Sequence, residues 1–593
     1  MNKKLLVLIV GNLFLLKIAV TAQSSMINIE SRAKISLNGE WQSIIDPTNI
    51  GEWRQLWKEK QPVSKTDFFE YSFEGGTLLK VPGDFNTQQC ELTFYEGVIW
   101  YKKIISITKM QNKRRFISFG AVNYRAEVYF NGTKIGSHEG GFTPFMYEIT
   151  ELINDGNNTF IVKVNNTRLR DGIPALGYDW MNFGGITRDV YLIETGDTYI
   201  DDYSIQLKKG GENEVAGWIR LNGAKGKQKI EVVIPELDLN FQTQTNSSGY
   251  ASINFKGKFQ LWNPENPKLY EVFLSCETDT VRDEIGFRSI ETKGQDILLN
   301  GKPIFLKAVN VHEEMPLCGC KTTSANDAEY ILGKVKELGC NMVRLAHYPH
   351  NEYMVKLAER MGIMVWSEIP VYQHINFTAQ GVADKIDLMM REMIKRDKNR
   401  CAVIIWSLSN ETYSFTPGRD SILINLSQEC HQIDSTRLIT SVINIQGYNN
   451  NIVDVWDSLY KYCDIISVNE YYGWYVPWQG NPEETKWELN YPDKPLFISE
   501  FGGEAQYGNH TGSVNEASWW NEEYQEQIYI DQINMFKNMP NLAGVCPWIL
   551  FDYRSPGRLH PIYQQGYNRK GLLSERGERK KAWYIMKSYY ESK

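Results

Sequence analysis

The chain has 593 residues, too many for one hydrophobic core and enough for three or four domains. Its 42% hydrophobic and 23% charged residues are ordinary for a globular chain, and a formal net charge of −7 with no long basic run argues against a nucleic-acid binder, which needs a positive patch to displace counterions. Aromatic residues reach 13%; such rings stack on the apolar faces of sugars but also fill all-β cores, so they point to sugar without requiring it.

At the N-terminus, Lys3 and Lys4 precede an apolar run from Leu5 to Val20, broken by Lys17, and Val20-Thr21-Ala22 offers small residues for cleavage before Gln23. This is a signal-peptide layout over residues 1–22. It predicts an exported chain, periplasmic or secreted, with no membrane span in the mature part, since no other segment approaches ~20 apolar residues.

Residues 23–197 then show short alternating runs broken by turn signals, as in AEVYFNGTKIG, where Asn131-Gly132 separates two strands: an antiparallel sandwich. Residues 198–291, with IEVVIPELDL and LYEVFLSCET, have the size of one immunoglobulin-like sandwich. From 292 to 593 apolar runs alternate with helical patterns, the mark of parallel strands with crossover helices. Eight such runs stand out: PIFLKAVNVH, NMVRLAHYP, GIMVWSEIP, VIIWSLSNE, RLITSVIN, IISVNEYYG, LFISEFGG and GVCPWILFDY. Eight strand–helix units over roughly 300 residues predict a (β/α)8 TIM barrel, whose chemistry sits at the C-terminal strand ends.

Those ends carry His312, Arg344, His347, Glu368, Asn410, Glu411, Asn469, Tyr471, Glu500 and Trp548. Polar residues belong at any loop-facing rim, so each alone means little. Glu411 and Glu500, however, each close a fully apolar run, on strands four and seven. Two carboxylates at one mouth suit glycoside hydrolysis, one protonating the leaving oxygen while the other attacks the anomeric carbon. The acid has to hold its proton near neutral pH, which desolvation and a neighbouring carboxylate promote. Nine Cys at wide spacings cannot pair completely. Cys318-Gly-Cys320 has no second pair at zinc spacing, so no metal site built from cysteine is expected, most thiols read as buried filler, and no cofactor is required.

WSLSNE and SEFGGE, preceded by the two sandwiches, resemble family 2 glycoside hydrolases from about Ile35 to near the C-terminus. The resemblance implies a jelly-roll domain, an immunoglobulin-like domain and a catalytic barrel, with Glu411 as acid/base, Glu500 as nucleophile and Asn410 holding the sugar 2-hydroxyl. His312 and His347 fall on family positions. NEYYGWY, which supplies Asn469, Tyr471 and Tyr475, is similar to the β-glucuronidase-like branch. So is YNRKG, whose Asn568 and Lys570 match the pair that grips a substrate carboxylate; an ammonium and an amide together suit a uronic acid. Asp179 in YDWMNFGGITR matches the residue holding distal sugar hydroxyls, and Trp548 closes the eighth strand.

The text also departs from the branch. Gln564 stands where many members have Arg, and FDYRSPGR differs, so one carboxylate contact is either missing or rebuilt from Arg554 or Arg558. The link after strand three, EIPVYQHINFTAQG, is short and leaves an open mouth suited to the end of an oligosaccharide. The resemblance therefore implies a retaining, exo-acting hydrolase of terminal β-linked uronic acids on glycans. A β-galacturonidase, a β-galactosidase, or a carbohydrate-binding protein on an inactive barrel stand as alternatives, and a homo-oligomer is left open.

Overall fold

The computed structural model describes residues 23–60, 64–66, 71–445 and 449–593, so the signal-peptide layout lies outside the described residues. The first sandwich packs a six-stranded sheet on a five-stranded one, all neighbours antiparallel. Trp41, Leu79, Ile99 and Val162 of one sheet meet Ile117, Phe119, Phe145 and Leu192 of the other in a closed core. The turn read from Asn131-Gly132 joins Arg125–Phe130 to Thr133–Glu139, and both turn residues have positive φ (48° and 79°), the backbone a two-residue hairpin demands. The second sandwich sets a three-stranded sheet against a four-stranded one. Its strand Tyr250–Lys256 alternates exposed and buried residues along its whole length, the period of a half-buried strand.

The eight apolar runs form a closed parallel barrel. Its strands, one to eight, are Leu306–Val311, Met342–Leu345, Met364–Glu368, Val403–Asn410, Leu438–Asn444, Ile466–Asn469, Leu496–Glu500 and Leu542–Val545. Strand four is buried at every position, as expected of a strand covered on both faces. The strict strand–helix alternation does not hold throughout. Among the described residues, the links from strand five to six and from six to seven carry only 3-10 turns, Ser458–Lys461 and Pro482–Glu484, and a two-stranded parallel patch, Ile452–Val455 with Lys486–Leu489. The other five links keep their helix and a sixth helix, Lys581–Glu591, follows strand eight; the helix after strand one opens with a capping box between Ser324 and Asp327.

Cys318 and Cys320 form a disulfide, a pairing the sequence left open, while Cys340, Cys401, Cys430, Cys463 and Cys546 are buried thiols. Among the described residues no helix is long and apolar enough to cross a membrane, and no group of three or more His, Cys, Asp or Glu could hold a metal ion.

Both sandwiches are fixed to the barrel by buried ion pairs. Arg188 of the first and Lys321 of the barrel converge on Glu313 (3.2 and 2.8 Å), and Arg400 of the barrel meets Asp283 of the second at 2.6 Å. Burial pushes the Glu313 pKa up, but the two cations outweigh it and hold the carboxyl well below its usual range. The docking matters because it carries Asp179 and Trp180 of the first sandwich to the barrel mouth.

Candidate active site

Each glutamate follows a local irregularity of the barrel. Ser407 to Asn410 on strand four faces Thr440 to Val442 on strand five, three steps against two; on strand seven, Ile498 to Glu500 faces Val468 to Asn469, two against one. An inserted residue turns a strand end and re-aims the side chain that follows. Glu411 itself takes a left-handed backbone (φ 55°), uncommon for a residue with a Cβ and held here by its N–H bond to the Val442 carbonyl at 2.9 Å.

Both carboxylates line one cavity of about 740 Å3. Glu411 accepts from Gln373 Nε2 at 2.8 Å and Asn469 Nδ2 at 3.0 Å. Glu500 accepts from Arg344 Nη1 and from the Tyr471 hydroxyl, both at 2.8 Å, with His347 Nε2 3.7 Å away. Burial lifts the Glu500 pKa above the ordinary carboxylate value; Arg344 and His347 pull it back, and Glu411 adds to the rise. Arg344 is fully buried and also bonds Glu368 (3.0 and 3.1 Å) and Asn410 Oδ1 (2.8 Å). Against the upward push of burial, it lowers Glu368 to about 2. His347 Nδ1 lies 2.7 Å from Glu368, and the His347 ring stacks on Trp548 (4.7 Å between centroids, 15° between planes).

Of the residues singled out from sequence, Asp179, His347, Glu411, Tyr471, Tyr475, Glu500, Trp548, Asn568 and Lys570 all line this cavity. Asn410 and Asn469 lie behind it. Asn410 Nδ2 is buried without a hydrogen-bond partner. Asn469 is fully buried; its amide donates to Glu411 and Asn410 and accepts from the Ser499 hydroxyl at 2.7 Å, so it fixes the Glu411 carboxylate. His312 is buried among Trp180, His347, Trp548 and Tyr553 and bonds the Tyr348 hydroxyl at 3.3 Å.

The same cavity carries a charged wall. Lys570 Nζ bonds the Tyr475 hydroxyl (2.7 Å) and Glu504 Oε1 (3.1 Å). Arg558 reaches Asp179 Oδ2 at 2.5 Å and Glu504 at 3.1 Å, and Asn568 Nδ2 joins Asp179 at 3.1 Å. Of the two arginines weighed from sequence, Arg558 lines the cavity, while Arg554 turns its guanidinium to the Cys318 carbonyl. Burial raises the pKa of Asp179 and Glu504, but Arg558 and Lys570 more than offset this, leaving both ionised, Glu504 at about 2.

Gln373, Glu504, Tyr372 and Trp180 were missed from sequence. Glu504 offered a signal, since it sits four residues past Glu500 at a strand end; Trp180 adjoins Asp179 in the quoted segment; Gln373 and Tyr372 had none beyond following strand three. Two carboxylates in one cavity with cations, amides and hydroxyls around them form an arrangement that can cleave a glycosidic bond.

Three family models match the chain: the family 2 glycosyl hydrolase sugar binding domain over 35–196, a family 2 glycosyl hydrolase domain over 198–288, and the family 2 TIM barrel domain over 290–592. A protein of Formosa agariphila is 29% identical over 541 residues, 83% of this chain and 64% of that one. A β-glucuronidase of Streptococcus agalactiae is 27% identical over 581 residues, 87% of this chain and 93% of the other. Among solved structures, a β-glucuronidase of Ruminococcus gnavus superposes with a TM-score of 0.82 at 24% identity over 97% of this chain and 100% of its own, and a β-glucuronidase of that organism in complex with D-glucuronic acid with 0.81 at 24% identity over 96% and 100%. The barrel model alone spans more than half of the residues, and with the two sandwich models it accounts for nearly the whole described chain: the protein belongs to glycosyl hydrolase family 2.

Proposed function

We propose that the protein hydrolyses terminal β-D-glucuronides by a retaining, two-carboxylate mechanism. The observation that carries this is one cavity lined by Glu411, Glu500 and Lys570 together. Glu500, its charge favoured by Arg344 and Tyr471, attacks the anomeric carbon while Glu411 protonates the leaving oxygen; the glycosyl ester formed on Glu500 is then hydrolysed by water that Glu411 deprotonates. Asn410 Nδ2 meets the sugar 2-hydroxyl, Asp179 the distal hydroxyls, and Lys570 with Asn568 the carboxylate. The β-glucuronidases among the similar proteins support this reading, and the sandwich wall at Asp179 and Trp180 favours a chain end over an internal sugar. Export is part of the proposal, supported by the basic-then-apolar N-terminus and by the Cys318–Cys320 disulfide, a bond favoured in oxidising compartments.

A panel of nitrophenyl glycosides tests the substrate: the glucuronide should be cleaved in preference to the galacturonide, galactoside and glucoside, and any other order overturns the assignment. A 2-fluoro glucuronosyl fluoride tests the mechanism. It should add one sugar mass on Glu500, and a label on another residue would move the nucleophile.

A further inference from the structure

Arg558, Lys570 and Tyr475 come from three separate loops, and their hydrogen bonds can be counted. Arg558 shares its Nε–H between both Asp179 oxygens at 3.2 Å, gives one Nη2 hydrogen to Asp179 Oδ2, and uses Nη1 on the Tyr475 hydroxyl and Glu504 Oε1, each at 3.1 Å. One Nη2 hydrogen is left over. Lys570 has three hydrogens and two partners, Tyr475 and Glu504. The Tyr475 hydroxyl accepts from both cations, which fills its lone pairs and leaves its own hydrogen to donate. Among the described residues, then, three donors in one cavity lack an acceptor, and two of them are charged. A carboxylate offers about four acceptor positions and a matching charge; a hydroxymethyl group offers fewer acceptors and no charge.

Resting on the glucuronide reading, we propose that Arg558 is a specificity-determining residue, the second cation for the substrate carboxylate, supplied from the loop after strand eight. Gln564 takes no such part: it is turned onto Glu504 Oε2 at 3.0 Å and does not line the cavity. Arg558 also sets the charge of the wall. With it, two cations face the carboxylates of Asp179 and Glu504 and the quartet is neutral; without it the quartet is net negative and repels a uronate.

The test is the ratio of kcat/KM on nitrophenyl glucuronide to that on nitrophenyl glucoside. Arg558→Gln should lower the ratio at least about tenfold, the scale of one charge-assisted contact, and Arg558→Lys, which keeps the charge, should lower it less. Gln564→Arg placed in the Arg558→Gln chain should recover part of the ratio, because its side chain reaches the same Glu504. Equal losses on both substrates would make Arg558 a mere clasp for Asp179 and overturn the proposal, as would an unchanged ratio. Should Arg558→Gln fail to fold, Arg558→Lys decides: it keeps a cation without the planar fork, so the ratio should fall while the glucoside rate holds, and an unchanged ratio or equal losses on both sugars count against the proposal. A native protein that cleaves no β-glucuronide would instead overturn the reading of the whole site.

Discussion

At the cavity floor one buried cation, Arg344, serves two carboxylates, Glu368 and Glu500, while the third, Glu411, is held by the amides of Asn469 and Gln373. At the charged wall two cations, Arg558 and Lys570, face two carboxylates, Asp179 and Glu504. The floor therefore has more acidic groups than cations, which favours the oxocarbenium-like transition state of glycoside cleavage. The wall is balanced and keeps unused donors, which favours recognition of an anion in the ground state as well as in the transition state. Substitutions in the two regions should fail in different ways.

The largest effect belongs to the floor. Glu500→Ala should reduce turnover on every β-glycoside to background, because it removes the proposed nucleophile. Glu411→Gln should lose ~10²–10⁴-fold on an alkyl glucuronide, the usual contribution of a general acid, and far less on a nitrophenyl glucuronide, whose leaving group needs little protonation. Steady-state kinetics on the two leaving groups check this. Equal losses on both would remove Glu411 from the acid role.

The next effect belongs to the wall and should depend on the sugar. Lys570→Ala removes a charge-assisted contact worth ~1.5–3 kcal/mol, so kcat/KM on a glucuronide should fall roughly ten- to a hundredfold. The glucoside, with no carboxylate to lose, should be nearly indifferent. The opposite result, one loss shared by both sugars, would mean that Lys570 holds Glu504 and the loop in place, and the contrast between floor and wall would collapse.

The same contrast explains what the sequence disclosed. The floor is built by barrel strands, each a short local pattern, so an apolar run ending in Glu411 or Glu500 could be read residue by residue. Arg344 lies inside the run NMVRLAHYP, where an isolated charge in a buried strand already indicates a partner within the barrel. The irregularities before Asn410 and Glu500 were hidden because register depends on the neighbouring strand. The wall joins Asp179, Tyr475, Glu504 and Arg558, which meet only when a sandwich docks and three loops close. Asp179 was legible through resemblance, but Glu504 and the choice of Arg558 over Arg554 required the fold. The missing helices after strands five and six went unread for a similar reason. Apolar residues such as Val453, Val455 and Trp487 bury a small parallel patch there, and short apolar runs do not distinguish helix from strand.

The smallest effect is one of pH. Glu500 must be ionised to attack, so kcat/KM should rise with pH through the Glu500 pKa, and that limb reports the substrate-free protein. Burial places this pKa above the ordinary carboxylate value. The Tyr471 hydroxyl, 2.8 Å from Oε2, favours the charged form and so pulls the pKa down. Tyr471→Phe removes that bond without adding charge. The sign follows: the carboxylate is less stabilised, its pKa rises, and the acid limb moves to higher pH, so activity is lost on the acidic side and approaches its plateau later. A shift of about one unit corresponds to ~1.4 kcal/mol, at the lower end for one hydrogen bond to a charged group, as expected where water replaces it in part. Tyr475→Phe is the matched change at the wall, where the hydroxyl meets Lys570 and Arg558 and not Glu500. It should leave the limb in place while weakening glucuronide binding. Profiles that move together in the two variants would show that floor and wall share one electrostatic unit, and the separation drawn between them would have to be given up.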